Sequence, residues 1–403
     1  MRAWLRAFLF FTILFFLNSF VQVIAHSAAT IEVIDPEVEY IFGGQITFSA
    51  RINSQTPVEQ VTLFYQVEGE PVTEVGQANL YSQGRVISIY DTNKAPMRVF
   101  SNVAYWYQIS LEDGSSVTSP EFGFYYEDNR FEWQTSSDGV FRAHWYSDNP
   151  LLAQKVLEIS QEGLRAALNY VLVLPPDTID IYIYDNIEDM QISLRQLGRS
   201  LVAGHADPAM GVVLVALPPG PDQTIYMKQR IPHEIMHILT YQVVGDAYSS
   251  LPPWLIEGLA TLTELHPNQE YHVLLEDAHR RNNLVPISSL CQLLPMDASS
   301  ALTAYAQSAS FTQFLHENFG TQGIMNLLTN YSSGLGCEQG VEQAFGTRLN
   351  QLENQWRRDT FSGVSWNLSP EKTFPWVVLM VAVLFAPILM TIHSLVKRVD
   401  NDR

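Results

Sequence analysis

The stretch "IPHEIMHILTY", residues 231–241, decides how the chain is read. His233 and His237 are four residues apart and enclose Glu234 in an otherwise apolar run. On a helix, positions i and i+4 lie one above the other, so both imidazoles project from one face. Two imidazoles so placed offer two of the nitrogens a zinc ion needs, and Glu234, pointing slightly aside, can take a proton from water. Pro232 lacks an amide proton, so it marks either the first turn of that helix or a kink just before the histidines.

A catalytic zinc needs a third protein ligand and an open position. The candidate is Glu257 in "PPWLIEGLATLTE" (252–264), whose neighbours Leu255, Ile256, Leu259 and Leu262 are apolar. Read as a helix over 253–266, this segment places Thr261 and Glu264 at i+4 and i+7 from Glu257. A polar stripe so placed among apolar residues calls for compensation by a cation. Glu264 is spaced to accept a hydrogen bond from a ligand histidine and so orient it.

Upstream, "IDIYIYD" (179–185) and "GVVLVAL" (211–217) read as strands, and "IEDMQISLRQLG" (187–198) as a helix. "NPLLAQKVLEISQEGLRAALNYV" carries a helical stripe of Leu152, Val156, Ile159, Leu164 and Leu168. Further helices fall at 223–244, 301–319 and 338–357, which makes 133–365 an α+β domain. His205 and Asp207 in "GHADPAM" are assigned to a solvated turn before the strand at 211–217. That strand is expected to align an extended peptide by edge pairing.

Residues 29–128 change period. In "QITFSARI", "VTLFYQV" and "VAYWYQISL" every second residue is apolar, with turn residues such as "EDG" at 112–114. Short alternating runs of this kind indicate an all-β, immunoglobulin- or fibronectin-like sandwich, a spacer or a docking module for a protein partner.

The ends of the chain are apolar. Arg2 and Arg6 precede the run 7–17, and Val23 and Ala25 supply a small-residue site, so residues 1–25 read as a signal peptide or an uncleaved anchor. Residues 374–396 contain no Asp, Glu, Lys or Arg and are followed by Lys397 and Arg398. At about 1.5 Å rise per residue they can cross a hydrocarbon core of about 30 Å, which leaves 397–403 as a cytoplasmic tail and the bulk outside the cytoplasm. Cys291 and Cys337 are the only cysteines and are paired as a disulfide in this reading. Forty-two acids against twenty-three bases give a net charge of −19, which argues against a nucleic-acid partner.

"HEIMH" followed by "WLIEGLA" resembles the gluzincin zinc metallopeptidases, especially the aminopeptidase branch with its W-L-N-E-G-F-A motif. The order of signal peptide, sandwich, peptidase-MA-like domain and terminal anchor is similar to that of uncharacterised bacterial membrane proteins. The resemblance implies one zinc ion held by His233, His237 and Glu257, with Glu234 as general base and a peptide or protein as substrate. It also places Tyr305, in "TAYAQSASFTQFL" (303–315), where such families keep a tyrosine that stabilises the oxyanion. Two departures stand out: "PAMGV" (208–212) replaces the branch's G-A-M-E-N, and Ile256 replaces the asparagine before the ligand. The competing expectations are an inactive surface binding protein on a peptidase-like scaffold, and a purely structural zinc site.

Overall fold

The computed structural model describes residues 31–195, 203–295 and 297–361. The signal-peptide and transmembrane readings at 1–25 and 374–396 lie outside them. Among the described residues no helix is long and apolar enough to cross a membrane. The chain divides into two compact units, Met1–Tyr248 with Thr263–Pro267, and Ser249–Leu262 with Asn268–Arg403.

The first unit begins with an antiparallel sheet of eight strands: β1 (Glu32–Tyr40), β2 (Gln45–Asn53), β3 (Val58–Val67), β4 (Glu74–Leu80), β5 (Arg85–Asp91), β6 (Ser101–Leu111), β7 (Ser116–Thr118) and β8 (Phe122–Tyr126). Their order is β1-β2-β5-β4-β3-β6-β7, with β8 also on β6. The alternation seen in the sequence is the alternation of burial: Ile46, Phe48, Ala50 and Ile52 of β2 are buried, as are Val103, Tyr105, Tyr107, Ile109 and Leu111 of β6. Phe48 meets Tyr105 and Phe124 at centroid distances of 5.2 and 5.8 Å, although β2 is no neighbour of β6 or β8. The sheet therefore curls until its own inner faces touch.

A second, mixed sheet follows in the same unit: β9 (Gln134–Asp138), β10 (Phe141–Trp145), β11 (Ile179–Tyr184), β12 (Gly204–Asp207) and β13 (Val212–Ala216). Its order is β12-β13-β11-β10-β9. The inner three strands are parallel, and β9 and β12 are antiparallel edges. Every residue of β11 and β13 is buried, as strands covered on both faces require. Two expectations are corrected here. The strand at 211–217 is not an edge, because β12 pairs with its outer side. His205 and Asp207 lie on that edge strand rather than in a turn: Asp207 holds a two-pronged ion pair with Arg98, and His205 pairs with Leu214.

Helix α1 (Pro150–Ala167) is capped by Asn149, whose side chain accepts from the Leu151 amide at 3.2 Å. It packs on β10 and on α3 (Gln223–Val244), which in turn crosses β12 and β13. Between β11 and β12 runs α2 (Ile187–Arg195). The two sheets share one core. Tyr182 of β11 stacks on Phe100, and the fully buried Asp128 accepts from Arg130 (2.6 Å), Ser193 (2.8 Å) and Tyr184 (3.1 Å).

The second unit is helical: α4 (Pro253–Leu262), α5 (Glu270–Arg280), α6 (Ala298–Ser332), α7 (Cys337–Phe345) and α8 (Leu349–Phe361). The helix expected over 338–357 is two helices, because Gly346 adopts a left-handed φ of 66° and ends α7. Gly320, at φ 67°, likewise interrupts α6. Trp254, Phe311 and Trp356 are fully buried together, with Trp254–Phe311 and Phe311–Trp356 centroids 5.2 and 5.8 Å apart. Cys291 and Cys337 are bonded, with Cα atoms 5.9 Å apart and a sequence separation of 46. Closing a loop of that length restricts the unfolded chain by about 4 kcal/mol. The Trp254 indole donates to the Cys337 sulfur at 3.4 Å, tying α4 to the disulfide.

Asp180 supplies a test of the mixed sheet. Burial alone would raise its pKa, but hydrogen bonds from His144 (2.6 Å) and Arg142 (2.7 Å) outweigh this and hold the carboxyl below its ordinary value. A depressed carboxyl contributes stability above its unfolded pKa, about 3.9, and loses that contribution as pH falls through the folded value. Asp180→Asn is therefore expected to cost about 1.5–3 kcal/mol in urea unfolding at pH 7. The difference from wild type should shrink below about pH 4; an undiminished difference there would refute the assignment.

Candidate metal centre

Helix α3 carries His233, Glu234 and His237 near its middle. Pro232 is inside this helix, nine residues past its start, and not at its first turn. Its missing N–H leaves the carbonyl of Lys228, four residues earlier, without a helical donor. The Leu265 amide supplies the substitute at 2.8 Å, and Thr263 Oγ1 donates to the Pro232 carbonyl at 3.0 Å. The segment 263–265 is thereby pinned along α3, and Glu264 is the residue in between.

Glu264 lies 3.3 Å from His233 Nδ1, and its side chain is 8% exposed. It does so from a turn, because α4 ends at Leu262 and not at 266. Thr261 lies on α4 as expected, and only Glu264 leaves the helical stripe, for the pinned segment. His237 Nδ1 is held in the same way by the Tyr248 hydroxyl, 2.9 Å away. A ring that carries its proton on Nδ1 and gives it to an oxygen is fixed in orientation and presents Nε2 as its ligand atom. Sequence reasoning missed Tyr248: it follows His237 by eleven residues, in a short 3-10 helix (Gly245–Ser250) past the end of α3, and no periodicity points to it.

His233, His237 and Glu257 each offer one ligand atom, and these atoms lie within 4.8 Å of one another. Two neutral imidazoles and a carboxylate are a donor set that suits zinc and leaves a fourth position open. Glu234, 7% exposed, lies against the edge strand at Gly204: a Cβ there would stand 2.5 Å from Glu234 Oε1. Gly258, next to Glu257, serves the packing of α4 on α6, since a Cβ there would stand 2.7 Å from the Ser308 carbonyl oxygen. Tyr305 is half-buried on α6, three residues before Ser308.

Residues 161–361 match the family model described as the Peptidase MA superfamily. Over these residues the chain belongs to that superfamily. No curated protein matches the chain. Among solved structures, an M1 zinc metallopeptidase from Deinococcus radiodurans is 12% identical, with 81% of this chain and 92% of that one covered at a TM-score of 0.36. An aminopeptidase N family protein from Idiomarina loihiensis is 10% identical over 81% and 73%, with a TM-score of 0.35. A carbohydrate-binding module of family 56, a β-1,3-glucan binding domain, is 13% identical over 23% of this chain and 98% of its own, at 0.18. Scores at this level carry no argument, and the family assignment rests on residues 161–361. The Peptidase MA domain thus supplies a metallopeptidase scaffold, and the β-rich segment precedes it.

Two substitutions test this construction. Pro232→Ala restores an N–H aimed at the Lys228 carbonyl, where it competes with Leu265. Zinc affinity, read by chelator competition, should fall about 10–100-fold while helix content by circular dichroism holds or rises. Gly258→Ala should lower stability by about 1–3 kcal/mol through overpacking against α6, read as a drop in Tm.

Proposed function

We propose that this protein is a membrane-tethered, extracytoplasmic zinc peptidase of gluzincin type. The observation that carries the reading is the convergence of His233, His237 and Glu257, with the outer nitrogen of each imidazole already engaged. The apolar ends of the sequence support the tether and the export, and the Peptidase MA match supports the chemistry.

In this reading His233, His237 and Glu257 hold one zinc ion. Bound there, zinc supplies Lewis acidity to the scissile carbonyl and to the attacking water. Glu234 accepts the proton of that water and delivers it to the leaving amine as the C–N bond breaks. Glu264 and Tyr248 fix the imidazole rings, so that ligand geometry does not relax when substrate arrives. Tyr305 donates its hydroxyl hydrogen to the oxygen on which negative charge develops. The outer side of β12, the last strand of its sheet among the described residues, pairs with an extended peptide, which Gly204 allows to lie close to Glu234. The turn at 208–212 holds Gly211, at φ 66°, where the aminopeptidase branch keeps its amine-binding glutamate, which favours cleavage not restricted to free amino termini.

The test is zinc content of the purified full-length chain, followed by a mixed peptide library read by mass spectrometry. One zinc per chain and hydrolysis are expected. Glu234→Gln should retain zinc and lose about 10²–10⁴-fold in rate. Metal-free protein, or zinc-loaded protein that cleaves nothing, would sink the reading; turnover surviving Glu234→Gln would remove the general base.

A further inference from the structure

Arg230 is a charged residue of α3 that the reading above leaves without a task. It stands three residues before His233, four before Glu234 and seven before His237, so all four share one stripe of the helix. The side chain is half-buried, with its guanidinium 4.3 Å from the centre of the Tyr226 ring and one N–H donated to the Ala216 carbonyl at the end of β13. Burial holds its pKa below the ordinary arginine value, although Tyr226 and Glu234 pull the other way.

Among the described residues Arg230 makes no contact ion pair within 4.0 Å, and Glu234 favours its charge only from beyond that range. In a chain with 42 acids and 23 bases, a partly desolvated guanidinium with no carboxylate in contact is a cost that calls for a use. Its place suggests one. The Ala216 amide donates to the Ala203 carbonyl, and the next residue, Gly204, is where Glu234 meets the edge strand. Arg230 therefore stands one residue along the sheet from the proposed general base.

We propose that Arg230 receives a carboxylate of the substrate, so that the site selects peptides with an acidic group beside the scissile bond. The proposal rests on the peptidase reading and names its substrate class. A guanidinium carries five N–H donors in a planar fork matched to a carboxylate, and only one of them goes to Ala216. The acidic group has two sources, an Asp or Glu side chain or the peptide's own C-terminus.

The experiment uses the zinc-loaded full-length chain and three peptides of one core sequence. The first has an interior Glu and blocked ends, the second is neutral with a free C-terminal carboxylate, and the third is neutral and amidated. Hydrolysis is measured for wild type, Arg230→Gln and Arg230→Lys, and binding of the same peptides is measured in a Glu234→Gln background. Arg230→Gln should lower the ratio of acidic to amidated kcat/KM, and of the matching affinities, about 10–100-fold. Arg230→Lys, which keeps the cation and a donor for Ala216, should recover part of that ratio. A loss confined to the interior-Glu peptide assigns the side chain, and a loss confined to the free C-terminus assigns the terminal carboxylate. Ratios that do not move in Arg230→Gln overturn the proposal. If wild type hydrolyses nothing, the peptidase reading fails alone. The binding arm still decides Arg230, because carboxylate peptides held no tighter than the amide overturn it.

Discussion

The absent amide hydrogen of Pro232 is the constraint around which the site is arranged. A proline inside a helix usually costs about 3 kcal/mol, because it removes a donor and crowds the preceding turn. Here the orphaned Lys228 carbonyl is filled from another part of the chain, by the Leu265 amide. That bond and the Thr263–Pro232 bond fix the segment carrying Glu264 against α3, where it reaches His233. The proline ring also lies where α1 comes closest: a Cβ on Gly163 would stand 2.9 Å from the ring's own Cβ. One residue thus sets the distance to α1 and provides the anchor for the partner of a ligand histidine.

Glycine works with it at two other points. Gly204 removes a side chain where the edge strand passes Glu234, and Gly258 removes one where α4 meets α6. Both are close-approach positions with ordinary φ, not turns, so their role is space and not backbone freedom. The result is a carboxylate held against a strand edge and a helix seated on its neighbour. On that helix Trp254 is further tied to the Cys291–Cys337 disulfide.

The β-rich segment is more than an appendage on a linker. Phe100 stacks on Tyr182, Arg98 clasps Asp207 of β12, and Asp128 is bonded from Tyr184 and Ser193. Strand β12, the edge beside Glu234, is therefore braced at its far end by Arg98, from the connection between β5 and β6.

The sequence by itself determined what is local. Period-two burial in β2 and β6 follows from alternating apolar residues, and the i, i+4 spacing puts His233 and His237 on one face. The WLIEGLA segment forms a helix that carries Glu257. What tertiary structure decided was everything that depends on a partner far along the chain. Tyr248 on His237, the segment that carries Glu264 and the edge position of β12 have no periodic signature. Each arises because a backbone or side-chain group left unsatisfied by local structure is completed by whatever the fold brings beside it.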